Sequence, residues 1–252
     1  MIESYGLSDP GCVRPDNQDR VLTDHSLGLF VVADGMGGHK HGEKAAELAV
    51  DTMKFFLESS RDSFDITWPF GYNFELSIDA NRLFTGIQLA NRHVWNYAET
   101  ASDFVGMGTT VAAVLLSAEN AIVGNVGDSR VYLFRNGELQ QISFDDSFVN
   151  TLNPAGSASE HELMNNPMRN VLTQAAGAEG PVDVHITELK LASNDVLLLS
   201  SDGLHAVIGD AAIRSILGTG QSVEHQAERL VAAARVNGAP DNVSSIVIAY
   251  NL

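Results

Sequence analysis

Short apolar runs separated by turn residues recur along most of the chain, and this pattern predicts β-strands. Asn136-Gly137 stands between two such runs and is typical of a tight hairpin turn. We predict strands over the following segments: Ile2 to Leu7, Arg20 to Thr23, Leu27 to Ala33, Thr109 to Ser117, Ala121 to Val126, Ser129 to Arg135, Glu138 to Ile142, Val182 to Leu189, Val196 to Ser200 and Val243 to Tyr250.

Three longer segments repeat their apolar residues at the helical period instead, and they predict helices over Gly42 to Leu57, Leu76 to Tyr97 and Ser222 to Val236. Strands and helices come in blocks, and neighbouring strands are joined as hairpins. This arrangement favours an α+β fold with antiparallel sheets over a doubly wound parallel sheet. No linker or repeat interrupts the chain, so we predict a single domain over 1–252. A polar segment over 145–170 is predicted to form a flap.

Composition narrows the classes of partner. The 252 residues are 44% hydrophobic and carry 32 acidic against 15 basic side chains, a net charge of −17. Nucleic acids and anionic membranes are bound by clusters of lysine and arginine, so this balance argues against both. Cys12 is the only cysteine, which excludes an intrachain disulfide, and no segment has the pattern of a signal peptide or membrane helix. We expect a soluble cytoplasmic protein.

Three aspartates stand beside glycine or asparagine at the ends of apolar runs. They occur in Asp34-Gly35, Asp202-Gly203 and Asp241-Asn242. If the strands bring these side chains together, like charges at contact distance repel by roughly 4 kcal/mol at an effective dielectric near 20. Such a cluster calls for a cation, and hard oxygen ligands favour Mg²⁺ or Mn²⁺. The pattern therefore predicts a metal-dependent hydrolase that acts on an anionic substrate.

Further motifs extend this pattern over nearly the whole chain. In order they are Arg14-Pro15-Asp16-Asn17-Gln18-Asp19, Ala33-Asp34-Gly35-Met36-Gly37-Gly38-His39, Gly106-Met107-Gly108-Thr109-Thr110, Gly127-Asp128-Ser129-Arg130, Ser201-Asp202-Gly203-Leu204 and Asp241-Asn242-Val243-Ser244. Each is weak alone, but the ordered set resembles the metal-dependent protein serine/threonine phosphatases, the protein phosphatase type 2C family. The Gly-Met-Gly-Gly-His variant is similar to the bacterial branch of that family.

The resemblance implies a four-layer α-β-β-α sandwich with a metal site in the cleft at one end of its two antiparallel sheets. It implies two tightly bound Mn²⁺ or Mg²⁺ ions bridged by Asp34. Asp202 and Asp241 would complete the ligands of the first ion, and the Gly35 carbonyl would serve the second. A weaker third ion would be held by Asp103 together with Asp202.

The same resemblance implies hydrolysis of phosphoserine and phosphothreonine on proteins, by direct attack of a hydroxide that bridges the metals. Arg14 would neutralise charge on the phosphoryl oxygens, because a guanidinium can hold two oxygens at once. Gln18 replaces the glutamate that several relatives use to hold a metal-bound water, and Asp19 would support the metal shell. Animal members carry histidine at the position of Met36, so the proton donor to the leaving group stays open, with a metal-bound water as one candidate.

Other interpretations fit less well. Gly127-Asp128-Ser129-Arg130 reads as a structural turn between strands. A nucleotide-binding loop over 35–42 lacks the Walker pattern, because His41 follows Lys40. Cys12 stands too close to Arg14 for a cysteine-dependent phosphatase. A catalytically silent scaffold and a phosphatase of small phosphate esters remain alternatives. Partners would be phosphorylated proteins, above all a serine/threonine kinase and its targets, and we expect a monomer.

Overall fold

The computed structural model describes residues 2–37, 41–62, 66–152, 168 and 171–251. Within these ranges the strands are β1 Ile2–Asp9, β2 Asp19–Asp24, β3 Leu29–Met36, β4 Gly108–Thr109, β5 Val111–Ser117, β6 Asn120–Val126, β7 Arg130–Arg135, β8 Glu138–Gln141, β9 His185–Lys190, β10 Asp195–Ser200 and β11 Val243–Tyr250. The helices are α1 His41–Ser60, α2 Ile78–Ala98, α3 Phe148–Leu152, α4 Asp202–Leu217 and α5 Val223–Val236, with a short 3₁₀ helix over Ser102–Phe104.

The strands form two antiparallel sheets, as predicted. One has the order β1-β11-β10-β7-β8, and the other has the order β2-β3-β5-β6-β9 with β4 paired to β3. Apolar side chains from both sheets meet in a shared core that includes Phe30, Val32, Leu197, Leu199 and Ile246. The two sheets therefore stack face to face as the middle layers of a sandwich.

The outer faces of the sheets are covered by helices. Leu29 and Val31 of β3 pack with Met53 of α1 and Leu83 of α2, whereas Phe30 and Val32 point to the other sheet. This alternation explains why Leu29 to Ala33 of β3 are all apolar, because a strand buried on both faces has no solvent side. α4 and α5 cover the second sheet in the same way. The predicted four-layer α-β-β-α sandwich is confirmed.

Some boundaries differ from the predicted ones, each for a local reason. The strand predicted over Thr109 to Ser117 is divided at Thr110, whose backbone N–H donates to the Asp34 carbonyl at 2.8 Å. The strand predicted from Val182 begins at His185, because the Asp183 backbone pairs with the side chain of Gln174. None of the helices in the described ranges has the length and apolar character that crossing a bilayer requires.

Candidate active site

The three aspartates predicted to share a site line one cavity at an end of the sandwich. Asp34 lies near the end of β3, Asp202 begins α4 directly after β10, and Asp241 precedes β11. Because β3 belongs to one sheet and β10 and β11 to the other, the cavity is built from the ends of both sheets. Its volume is about 580 Å³. Its charged lining residues in the described ranges are Arg14, Asp16, Asp34, Asp128, Glu179, Asp202 and Asp241.

The backbone of Asp34 is fixed by two threonines. Its N–H donates to Thr110 Oγ1 at 3.0 Å, and its carbonyl oxygen accepts from the Thr110 N–H at 2.8 Å and from Thr109 Oγ1 at 2.9 Å. Across the β2–β3 ladder, Asp34 lies opposite Asp19. These contacts fix the backbone of Asp34 where its side chain lines the cavity.

Asp202 is presented by the first turn of α4, where the helix dipole favours a negative charge. Its negative charge acts on the Asp34 carboxyl group and raises the pKa of that group. The next residue, Gly203, packs so closely on the chain beside Asp241 that an added Cβ would lie 2.0 Å from the Asn242 carbonyl oxygen. Glycine at this position is therefore what allows the segments carrying Asp202 and Asp241 to meet.

Asp241 is already paired with the cation of the site. Arg14 Nη2 donates to Asp241 Oδ2 at 2.6 Å. The neighbouring Asn242 holds the loop that carries Arg14: its Oδ1 accepts from the Gln18 N–H at 2.8 Å, and its Nδ2 donates to the Asp16 carbonyl at 2.9 Å. The Arg14 side chain remains 55% exposed, which leaves its guanidinium accessible from the cavity mouth.

Asp19 lies behind these groups and is 1% exposed. Its Oδ2 accepts hydrogen bonds from Ser201 Oγ at 2.9 Å and from Ser244 Oγ at 2.6 Å. Ser201 directly precedes Asp202, and Ser244 follows Asp241 by three residues. The buried Asp19 carboxylate of β2 therefore connects to both segments that carry these cavity aspartates. Asp19 thus lies behind the cavity aspartates, and its supporting role stays a prediction.

The concentration of acids raises the pKa values of the cavity carboxyl groups. The pKa of Asp34 lies well above its usual range because the group is buried, and because Asp19 and Asp202 add negative charge nearby. Burial raises the pKa of Asp202 as well, with Asp241 adding to the effect. The same causes raise the pKa of Asp19 to about 6 and of Asp128 to about 7. Without a cation, the site cannot carry its full negative charge at neutral pH.

These features fit a divalent cation. Asp202 Oδ1 is buried and has no hydrogen-bond partner among the described residues, so it is available to a metal ion. Arg14 pairs with Asp241, which shows that this end of the cavity accommodates a positive charge. In the same ranges no group of three His, Cys, Asp or Glu side chains is gathered closely enough to hold an ion alone. That separation is compatible with Mg²⁺-type binding, in which one or two carboxylates and several waters share each ion.

Comparison with known proteins decides the family. The family model described as protein phosphatase 2C matches residues 14–238. The chain belongs to this family. It is 33% identical over 248 residues to the serine/threonine phosphatase stp of Listeria welshimeri. The aligned region covers 97% of this chain and 94% of that protein.

Solved structures agree with this assignment. The crystal structure of the Mycobacterium tuberculosis serine/threonine phosphatase PstP/Ppp superposes with a TM-score of 0.85 at 32% identity, covering 100% of this chain and 99% of that one. A structure of the catalytic domain of PstP in complex with two manganese ions has a TM-score of 0.84 at 30% identity, with the same coverage.

The structure of this protein phosphatase 2C chain does not bring every predicted ligand into the cavity. Asp103 is exposed on the 3₁₀ helix over Ser102–Phe104 and is not among the residues that line the cavity. Asp128 is a lining residue instead, and its negative charge acts on the pKa of Asp34. Our interpretation of Gly127-Asp128-Ser129-Arg130 as only a structural turn was therefore incomplete. The signal that could have found Asp128 was the motif itself, an Asp directly after Gly at a strand end.

Two further predicted residues lie where expected. Gly35 lines the cavity and sits where only glycine fits, since an added Cβ would be 2.0 Å from the Gly42 carbonyl oxygen. Gln18 also lines the cavity. Most of the predicted flap over 145–170 lies outside the described residues, which resume only at 168 and then at 171. The described start of the segment, 145–152, contains α3.

Proposed function

We propose that this chain is a Mn²⁺- or Mg²⁺-dependent phosphatase that hydrolyses phosphoserine and phosphothreonine on proteins. The observation that carries the proposal is the meeting of Asp34, Asp202 and Asp241, from two different sheets, in one cavity whose basic lining residue is Arg14. Membership of the protein phosphatase 2C family supports the reaction, and the manganese-bound PstP structure supports the metal.

The carboxylates would divide the two tight ions between them. We assign Asp34 the bridging position, because it enters the cavity from one sheet whereas Asp202 and Asp241 enter it from the other. Asp202 and Asp241 would complete the shell of one ion. The Gly35 carbonyl would serve the other, with Gln18 and Asp19 behind it. Bound divalent ions supply Lewis acidity, which lowers the pKa of water toward neutrality and stabilises charge on phosphoryl oxygens.

The weaker third ion is better assigned to Asp128 than to Asp103. Asp128 lies in the cavity, and the first charge that raises its pKa after burial is that of Asp202. A buried carboxyl group whose pKa is raised by a neighbouring carboxylate is the type of group whose charge a divalent ion stabilises. Asp103 lacks this placement: it is exposed outside the cavity, and its carboxylate accepts a hydrogen bond from the neighbouring Ser102 hydroxyl at 3.3 Å.

Arg14 would bind the phosphoryl group of the substrate. In the present structure its guanidinium neutralises Asp241, and an ion on Asp241 would take over that charge. The planar fork of Arg14 is then free to hold two phosphoryl oxygens, which a lysine ammonium cannot do in the same geometry.

The test is release of phosphate from a phosphothreonine peptide. Wild type should turn over with Mn²⁺ and stop with EDTA, and Asp34→Asn should lose activity by several orders of magnitude. Asp24→Asn is a matched control, because Asp24 ends the same β2–β3 ladder on the side away from the cavity. Turnover by Asp34→Asn at the wild-type rate would contradict the bridging role.

The remaining alternatives are outcomes of the same assay. A metal-binding wild type without turnover would support a silent scaffold, and a higher kcat/KM for p-nitrophenyl phosphate than for phosphopeptides would support a phosphatase of small esters.

We further propose that the protein acts in the cytoplasm as a monomer and opposes a serine/threonine kinase. The scarcity of Lys and Arg disfavours a nucleic-acid or anionic-membrane partner, which supports a location away from membranes and DNA.

A further inference from the structure

The turn that carries Asp128 is held at both ends by two consecutive acids. At its first residue, the Gly127 N–H donates to Asp146 Oδ2 at 2.8 Å, and the Asp146 N–H donates back to the Gly127 carbonyl at 2.9 Å. At its last residue, Arg130 donates to Asp145 through Nε at 2.9 and 3.1 Å and through Nη2 at 2.7 Å. Asp145 and Asp146 therefore clamp the turn between β6 and β7.

The interior of the turn is tied to Asp34. Ser129 Oγ lies 2.7 Å from Thr110 Oγ1, the same oxygen that accepts the Asp34 N–H. Gly127 has a φ of +93°, and an added Cβ would lie 2.8 Å from the Thr110 side chain. Gly127, Ser129 and Arg130 thus each have a fixed partner, while the side chain of Asp128 faces the cavity.

Asp146 is the better placed of the two acids to determine where the turn lies. It is 5% exposed, and both its carboxylate oxygens are used: Oδ2 by Gly127 and Oδ1 by His185 Nε2 at 2.8 Å. Its carbonyl accepts from the N–H of Thr173, which also lines the cavity, at 2.8 Å. One residue therefore connects the Asp128 turn, β9 and the cavity wall.

We propose that Asp146, oriented by His185, is a positioning residue that sets the distance of Asp128 from Asp34 and Asp202. It does not touch substrate or metal. Partners behind metal ligands change affinity or activity when they are lost, because the ligand oxygens must be held within a fraction of an ångström. This inference rests on the proposed function, since it gives the Asp128 turn a purpose only if Asp128 serves the reaction.

The experiment compares two substitutions at one position. Asp146→Ala removes both carboxylate contacts, and we expect kcat to fall about 10- to 100-fold with a KM for the phosphopeptide close to that of wild type. Asp146→Asn should restore most of the rate. Its amide oxygen still accepts from Gly127, and its amide group keeps a polar partner for the ring of His185. A merely structural contact would also be restored by Asn, so kcat is compared per folded molecule. The positioning role predicts that folded Asp146→Ala is still slow, whereas a merely structural role predicts that it turns over at the wild-type rate.

The matched control is Asp195→Ala. Asp195 is also a buried acid, and it accepts the Ala192 N–H at 2.7 Å while pairing with Arg135, yet it does not line the cavity. We expect this variant to lose stability but to keep the wild-type kcat per folded molecule. The proposal is overturned if Asp146→Asn is as slow as Asp146→Ala, or if folded Asp146→Ala turns over at the wild-type rate.

A readout without turnover separates this inference from the proposed function. Hydrogen exchange should be faster at the Gly127 amide in Asp146→Ala than in wild type, and titration calorimetry should show the tight Mn²⁺ sites retained with weaker binding of any further ion. His185→Ala, which leaves the Gly127 contact in place, should show a smaller increase in exchange even if Asp146→Ala fails to fold. Exchange at Gly127 identical to that of wild type in His185→Ala and in folded Asp146→Ala, together with an inactive wild type, would refute both ideas. An inactive wild type with the expected exchange changes would refute only the phosphatase.

Discussion

Replacing Asp128 with asparagine should stabilise the metal-free protein at mildly alkaline pH, although it should slow the reaction. Burial, with the negative charges of Asp202 and Asp145, raises the pKa of Asp128 from 3.8 to about 7. Asparagine has nearly the same shape but no proton to release. The wild-type fold must either hold a proton there or bear an unfavourable charge, and the variant avoids both.

The sign and size follow from proton linkage. Between about pH 5 and pH 7 the native state keeps a proton on Asp128 that the unfolded chain has already released, so wild-type stability falls as pH rises. The slope is about 1.4 kcal/mol per pH unit for one group. The stability advantage of Asp128→Asn over wild type should thus grow by about 3 kcal/mol from pH 5 to pH 8 and level off above the folded-state pKa.

Urea unfolding in EDTA, followed by the fluorescence of Trp68 and Trp95, measures both curves. The tested quantity is the unfolding free energy of Asp128→Asn minus that of wild type, followed as a function of pH. Any packing effect of asparagine contributes equally at each pH and does not change this dependence. Asp51→Asn, at an exposed position on α1, controls for the removal of one negative charge. Wild-type and Asp128→Asn stabilities that run parallel across this range would refute the idea that Asp128 titrates there. Saturating Mn²⁺ should flatten the wild-type curve.

Three further outcomes are expected. Arg14→Lys should raise the KM for a phosphopeptide about tenfold in steady-state assays, because the planar fork is lost while the charge stays; an unchanged KM would argue against phosphate contact. Asp103→Ala should keep kcat within about twofold of wild type whereas Asp128→Asn should lower it more than tenfold in the same Mn²⁺ titration, and the reverse order would return the third ion to Asp103. Gly35→Ala should cost about 3 kcal/mol of unfolding free energy, because its Cβ would meet the Gly42 carbonyl at 2.0 Å; a wild-type melting curve would contradict the close packing seen here.

The strands and most helices were predictable because their patterns are determined by the layers they occupy. Leu29 to Ala33 of β3 are all apolar because helices cover one face and a sheet the other. α2 begins directly after Ser77, whose side chain caps it. The site aspartates could be anticipated for a related reason: Asp34, Asp202 and Asp241 each stand where a regular segment begins or ends.

What the pattern did not reveal depends on tertiary structure. α4 was missed because Gly203 and Gly209 interrupt its helical period; Gly209 has a φ of +70° at a kink within it. Asp128 was assigned to a turn because Gly-Asp-Ser is ordinary turn chemistry, and only the crossing from β6 in one sheet to β7 in the other aims it at the cavity. Asp103 was chosen from its spacing to the Gly106-Met107-Gly108 motif, and spacing along a loop does not determine direction.

The division of the site between two sheets has a consequence for how its chemistry can be adjusted. Asp34 depends on one sheet, and Asp202 and Asp241 depend on the other. The gap that their oxygens span is therefore dictated by the thickness of the apolar filling beneath them, where Phe30 faces Leu199 and its neighbours. A larger or smaller side chain at such a core position would increase or decrease the separation of Asp34 from Asp202 and Asp241. Substitutions in the core, far from any substrate, can therefore change the catalytic rate.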